Sequence, residues 1–425
     1  MAGTDPELVT RLTGPAGREL LSRLAELMPT YAADAALGVT TRLRADGFDP
    51  ELVTAALAQA RLRAMAHDKF GPATATFGAS AADLYFTADG REQATRPELA
   101  VRHAERFTAA GVTAVFDLGC GIGSDAIALA SAGIAVSAVD ADPLTVAVAR
   151  ANLSPWPSAA VILGRAEDVA LPTGPEARHT GVWVDPARRE SRARDVSGRA
   201  RRLWSLDAIS PSWAQVQAWA AQVPATGAKL SPAFPHSSVP AGAEAQWTSW
   251  RGEVLECALW WGPLAQVAGR TAAVCRPGSP PAVVTEADLR DEPALAALDE
   301  LGPWLHEADR AVVRAGLSGA LPGRALTPGI GLATSAAASV LPWLRSYAVI
   351  DAMPLRPKAI RAWLRARDIG RVTLKKRGSA VDPDRLLREL SARGAGAATL
   401  VATSIAGQSV AVIVEPGGVA ASMTT

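Results

Sequence analysis

The 425-residue sequence predicts an α/β protein in which a parallel sheet carries helices on both faces, with a helical segment before it and a second, smaller α/β unit after it. Three observations predict this class. Between residues 96 and 262, short apolar runs alternate with stretches of helical periodicity, as crossover units require. A glycine-rich turn, Gly119-Cys120-Gly121-Ile122-Gly123, joins the first apolar run directly to a helix. The same alternation resumes on a smaller scale between Arg345 and Pro416.

Each element follows from local pattern. Residues 1 to about 66 read as helical, because Leu20, Leu21, Leu24 and Leu27, and later Leu52, Val53, Leu57 and Leu62, recur at helical spacing. Asp49-Pro50-Glu51 marks a helix start, with Asp at the cap and Pro at the first helical position. In the main unit, strands are expected at 113–118, 135–139, 161–163, 181–184 and 228–230, with helices at 124–132 and 143–152. Residues 245–250 and 253–261, around Arg251-Gly252, resemble a hairpin. Residues 266–343 are rich in Pro, Gly and Ala, with two short helical pieces, and read as a connecting region. The last unit carries expected strands at 347–350, 371–375, 398–403 and 410–414 and helices at 357–367 and 383–393. The domain reading is therefore 1–95 helical, 96–265 main domain, 266–343 connection and 344–416 C-terminal domain.

Composition narrows the functional classes. With 43 basic and 42 acidic residues the net charge is +1, so any attraction to nucleic acid must come from local patches. Cys120, Cys257 and Cys275 lie far apart, which argues against a disulfide framework or a zinc ribbon and fits a reducing compartment. The five histidines show no metal-site spacing, so no metal is expected. The start, MAGTDPELVTRL, lacks the basic and apolar regions of a signal peptide, and no apolar run reaches the ~18 residues of a membrane span. A cytoplasmic protein with no membrane partner is the expectation.

The informative stretch is VFDLGCGIGSDAIALASAGIAVSAVDADP. A strand carrying Asp117 runs into Gly119-x-Gly121-x-Gly123, where backbone must turn sharply and approach a ligand closely. The helix that follows presents free amide donors. The second strand ends in Asp140, seventeen residues after Gly123, where a carboxylate can accept hydrogen bonds from both hydroxyls of a ribose. Together these residues resemble motif I of the class I S-adenosylmethionine-dependent methyltransferases, with their seven-stranded Rossmann-like sheet, rather than a nicotinamide-binding domain. The resemblance implies S-adenosylmethionine as cofactor, with Asp117, Gly119, Gly121 and Gly123 at its methionine end and Asp140 at its ribose. Asp142 either assists at the ribose or caps the helix begun by Pro143. After the third strand, such enzymes usually offer a carboxylate to the adenine; here Arg165 holds that position, so Asp168 or Glu167 takes it over.

After the fourth strand comes Trp183-Val184-Asp185-Pro186-Ala187-Arg188. Methyltransferases acting on exocyclic amino groups of bases carry a related motif, in which the polar residue and the Pro carbonyl orient the acceptor and an aromatic ring stacks on the base. Asp185 and Pro186 are kept. Arg188 stands where the ring would be, and a guanidinium plane can also stack. The loop 188–202 holds seven Arg against Glu190 and Asp195, suited either to a solvated face or to RNA phosphates. Residues 87–97 (TADGREQATRP) either fold over the cofactor or simply enter the next helix.

Between Arg345 and Arg377 there are ten basic residues against Asp351 and Asp368. The layout resembles a bacterial family of S-adenosylmethionine-dependent methyltransferases with a C-terminal THUMP-like domain, through DLGCGIGSDAIAL, VDADP, WVDPARR, KLSP (229–232), RAG (314–316) and VTLKKRG. It implies methylation of a nucleobase nitrogen in tRNA or rRNA, with the basic loop and the basic C-terminal domain as the RNA contacts. The alternatives are a small-molecule or protein methyltransferase, and an RNA-binding protein that binds the cofactor without turnover.

Overall fold

Pro follows a capping residue at the start of most helices in this chain. Asp49 accepts from the backbone N–H of Glu51 and Leu52, and Pro50 opens the longest helix, α4 (Pro50–Phe70). Before it come α1 (Pro6–Thr13), α2 (Pro15–Leu27) and α3 (Ala36–Ala45). Leu12, Leu20, Leu24, Leu43 and Val53 close a core among these four helices. The computed structural model describes residues 5–188, 206–291 and 293–415. These form two compact units, Met1–Lys229 with Trp260–Ala265, and Leu230–Leu259 with Gln266–Thr425.

In the first unit, α5 (Ala88–Gln93) and α6 (Pro97–Ala109) lead into the sheet. There follow β1 (Ala114–Leu118), α7 (Ser124–Ser131), β2 (Ala135–Asp140), α8 (Pro143–Leu153), β3 (Ala159–Leu163) and β4 (Thr180–Val184). Two-residue strands β5 (Ala187–Arg188) and β6 (Ile209–Ser210) pair antiparallel, and α9 (Trp213–Gln222) precedes β7 (Ala225–Leu230). The order is β7-β4-β1-β2-β3, all parallel. Every residue of β4 is buried, as expected for a strand covered on both faces. The N-terminal helices join this unit through α1, which packs on α8.

In the second unit, β8 (Glu244–Trp250) and β9 (Glu253–Trp260) are neighbours, joined at Arg251 (φ 53°) and Gly252 (φ 84°). Positive φ at both turn residues marks the hairpin turn that matches strand twist. Beyond β8 lie β10 (Gly269–Arg276), parallel to it, and β11 (Ser279–Thr285), antiparallel to β10. The two runs hold five and four strands, nine against the seven expected. The additional strands escaped the sequence pattern because β10 sets small residues between Arg270 and Arg276 with no apolar alternation, and because β11 carries Pro280 and Pro281. Prolines are tolerated there because β11 is an edge strand.

The remaining strands of this unit form a separate sheet in the order β13-β14-β12-β15-β18-β17-β16. Its elements are β12 (Trp304–Ala308), α10 (Arg310–Arg314), β13 (Arg324–Ala325), β14 (Leu332–Ser335), β15 (Leu344–Pro354), α11 (Pro357–Ala366), β16 (Ile369–Lys376), α12 (Pro383–Leu390), β17 (Gly396–Ile405) and β18 (Gln408–Val414). Helix α11 buries Ile360, Trp363 and Leu364, spaced three and four apart, against Leu386, Leu390, Leu400 and Ile413. The stretch read as a connection thus supplies three strands to the sheet of residues 344–414. Among the described residues, no helix is long and apolar enough to cross a membrane.

Candidate active site

The glycine turn after β1 is shaped by its own backbone. Gly119 and Cys120 donate their N–H groups to the Val139 carbonyl at 2.9 and 3.0 Å, tying the turn to β2. Gly119, Gly121 and Gly123 have φ of 86, 55 and 90°, the left-handed region that glycine enters without penalty. Gly119 has a second reason to lack a side chain, since a Cβ there would lie 2.6 Å from the Asp185 carbonyl oxygen. At Gly121 a Cβ would meet nothing within 4 Å, so the outer face of the turn is open.

Carboxylates surround the turn. Asp117 is 1% exposed, and its Oδ2 has no hydrogen-bond partner among the described residues. Burial, then the charges of Asp125, Asp185 and Asp140, push its pKa well up. Asp140 Oδ2 accepts from Gly121 N at 3.0 Å and its Oδ1 from Asp142 N at 3.0 Å. Burial nevertheless raises its pKa, outweighing those bonds. Asp142 caps α8, its Oδ2 accepting from Thr145 N at 2.8 Å and Thr145 Oγ1 at 2.6 Å. Asp168 lies exposed in the turn after β3, where Arg165 pairs with Glu167 at 3.2 Å.

On the other side of Gly119, Asp185 extends β4 by donating its N–H to the Leu118 carbonyl at 3.1 Å. Its Oδ2 meets Lys229 Nζ, near the end of β7, at 2.6 Å. The ammonium also donates to Thr95 Oγ1 at 3.0 Å, Thr95 to Asp125 Oδ2 at 2.6 Å, and His103 Nδ1 donates to Asp125 Oδ1 at 2.7 Å. Ser124 Oγ donates to the Thr95 carbonyl at 2.7 Å. Burial works to raise the Asp125 pKa, but hydrogen bonds from His103 and Thr95 and the charges of His103 and Lys229 prevail, leaving it below the ordinary range. The His103 ring lies 4.4 Å from that of Trp183, which stacks on Trp260 at 5.2 Å.

The sequence placed Asp117, the three glycines, Asp140 and Asp185 in motifs, and the fold brings them around one turn. Pro186 follows Asp185, partly exposed. The side chain of Arg188 and the rest of the loop 188–202 lie outside the described residues. The Thr95–Asp125–His103 chain was missed, and Lys229 appeared only within KLSP. One signal pointed to it, since Lys is rare in this Arg-rich chain and stands at the end of an otherwise apolar strand. Arg96-Pro97 does start α6 as expected. The segment before it also covers the glycine turn, since a Cβ at Gly90 in α5 would lie 2.3 Å from Ile122 Cγ2. Lys69 holds α5 there by donating to the Arg91 and Glu92 carbonyls at 3.0 and 2.9 Å.

Comparison with known proteins decides the family. An uncharacterized S-adenosylmethionine-dependent methyltransferase of Mycobacterium tuberculosis, found in strain CDC 1551 and again in strain H37Rv, is 31% identical over 357 residues, which cover 81% of this chain and 90% of the relative. The chain belongs to the S-adenosylmethionine-dependent methyltransferases. Residues 344–416 of this methyltransferase match the family model described as THUMP domain-like, and residues 5–66 match a domain of unknown function. A crystal structure from Porphyromonas gingivalis W83, described as a candidate methyltransferase, shares the fold at a TM-score of 0.69 and 19% identity, covering 94% of this chain and 98% of that one. The residues at the turn fit the cofactor. Asp117 Oδ2 lacks a donor that the described residues do not supply, and the face of Gly121 is clear of the protein. Among the described residues, no group of three or more His, Cys, Asp or Glu could hold a metal ion, and the three cysteines are buried.

Proposed function

We propose that this methyltransferase acts in the cytoplasm on a nucleobase nitrogen of structured RNA, tRNA or rRNA. When bound, S-adenosylmethionine supplies an electrophilic methyl group on a sulfonium. Asp117, Gly119, Gly121 and Gly123 would hold its methionine end. Asp140 keeps a lone pair on each oxygen for a ribose hydroxyl, with Asp142 beside it, and Asp168 would serve the adenine amino group. Asp185 and the Pro186 carbonyl orient the acceptor amino group, and Arg188 stacks on its base. Lys229 pairs with Asp185 and fixes its direction, and Thr95, Asp125 and His103 fix Lys229. Such catalysis is mainly positioning.

The observation that carries the reading is the approach of Gly119 to the Asp185 carbonyl, which gives the cofactor turn and the acceptor carboxylate a common wall. RNA as substrate is supported by the exposed cations of the THUMP-like domain, Arg356, Lys358, Arg365, Arg367, Arg371 and Lys376. The test is transfer of tritiated methyl from S-adenosylmethionine to cellular RNA, followed by nucleoside mass spectrometry. The expected result is an N-methylated base, with Asp185→Ala lowering turnover about 100-fold at unchanged cofactor affinity. Label confined to protein or small molecules would remove RNA as substrate, and full activity in Asp185→Ala would remove Asp185 from the reaction.

A further inference from the structure

Apart from Lys229 and Lys376, three motifs remain outside that reading: KLSP at 229–232, RAG at 314–316 and LKKRG at 374–378. Within the second unit, a residue of each lines one cavity of about 670 Å³, Pro232 from the first, Arg314 from the second and Arg377 from the third. Arg310, His236 and Glu253 complete the polar lining.

The wall is rigid and its charge is in surplus. His236 Nε2 donates to the Arg314 carbonyl at 2.8 Å, so its Nδ1 carries the lone pair that faces Arg270 Nη1 at 3.4 Å. Trp247 stands edge-on to the His236 ring at 5.1 Å and donates its indole N–H to the Pro232 carbonyl at 3.0 Å. A Cβ at Gly316 would lie 2.5 Å from Arg270 Nη1 and 2.8 Å from His236 Cε1, at φ +73°, which is why RAG ends in glycine. Arg310 and Arg314 are exposed, one turn apart on α10, a spacing at which like charges repel. Neither guanidinium has an ion pair or side-chain hydrogen bond among the described residues. Arg377 shares Glu307 with Lys375, at 3.3 and 2.5 Å, so one carboxylate serves two cations. Three arginines against Glu253 leave the cavity positive.

We propose that this cavity binds phosphodiester groups of the RNA strand on which the methyltransferase acts, with Arg310 and Arg314 taking neighbouring phosphates and Arg377 a third contact. The proposal rests on the RNA reading above. Arginine's planar fork matches phosphate oxygens two at a time, and a separation of about 5–6 Å between Cβ atoms one turn apart suits successive groups along a strand.

The experiment titrates fluorescently labelled bulk tRNA against the full chain over about 50–200 mM salt, for the wild type, R310E/R314E and R310Q/R314Q. Loss of two phosphate contacts should lower affinity at least tenfold in R310E/R314E and flatten the slope of log K against log salt by about 1.5–2 in both variants. S-adenosylmethionine affinity by calorimetry and the thermal midpoint should stay at their wild-type values, since both side chains are exposed. If the wild type binds tRNA and both variants match its affinity and slope, the cavity is not the site and the RNA reading stands. Should the wild type bind neither the tRNA nor, in the same assay, labelled rRNA at low salt, the RNA reading fails and takes this proposal with it.

Discussion

At the scale of single residues, the site depends on a few buried charges held in fixed states. Lys229 bridges Asp185 and Thr95 at 2.6 and 3.0 Å, and its removal loses both contacts, about 0.5–1.5 kcal/mol for an ordinary hydrogen bond and about 1.5–3 kcal/mol for one to a charged group. Lys229→Met is therefore expected to lower kcat about 10- to 100-fold while cofactor affinity changes less than twofold, measured by single-turnover transfer and calorimetry. An unchanged kcat would mean that Asp185 needs no partner. Asp117 gives a pH signature. Its folded-state pKa is raised, so between the unfolded value, about 3.9, and the folded one the native state holds a proton that the unfolded chain has released. Stability from this group is thus lost as pH rises through that window. Asp117→Asn removes the effect, so its thermal midpoint relative to wild type should climb as pH rises above the unfolded value in the absence of cofactor. A constant offset would show that Asp117 ionises normally.

At the scale of elements, α5 is the piece most exposed to single changes. It is one short helix, capped by Thr87 at its start and held at its end by Lys69, whose own pKa is lowered to about 8 by burial and then by Lys229, Arg96 and Arg91. Gly90→Val places a branched side chain against Ile122 Cγ2, where a single Cβ already comes within 2.3 Å. The helix must then lift from the glycine turn. The expected cost is about 1–3 kcal/mol, the usual range for overpacking, accompanied by weaker cofactor binding and faster amide exchange over residues 88–94. Amide exchange equal to wild type there would contradict the close packing. The same logic applies to β7, where a Cβ at Gly227 would lie 2.8 Å from both the Trp183 and Trp260 rings.

For the whole molecule, the measurable link between fold and function is ligand stabilisation. A cofactor that binds only the native state adds about 2.7 kcal/mol at a concentration 100 times its Kd. Asp140→Ala removes a charged hydrogen-bond acceptor contributing about 1.5–3 kcal/mol, so at the same cofactor concentration most of that gain should vanish, and the ligand-free midpoint should also fall because the Gly121 and Asp142 N–H groups lose their acceptor. A thermal shift equal to wild type in Asp140→Ala would exclude Asp140 from the cofactor site.

The sequence by itself determined what depends on neighbours along the chain. The caps at Asp49 and Asp142, the apolar runs that became β1 to β4, and the three glycines of the turn are short-range features written within a few residues. The strands within 266–343 were not legible, because they are very short or, as in GRTAAVCR of β10, SPPAVVT of β11 and WLHEA of β12, show no regular apolar alternation. Only the tertiary structure decided the partners of Asp185 and Asp125. Thr95 and Lys229 lie 134 positions apart, and they meet because parallel strands bring α6, β4 and β7 to one end of the sheet. Hydrogen bonds over such separations are set by strand order, which local pattern does not encode.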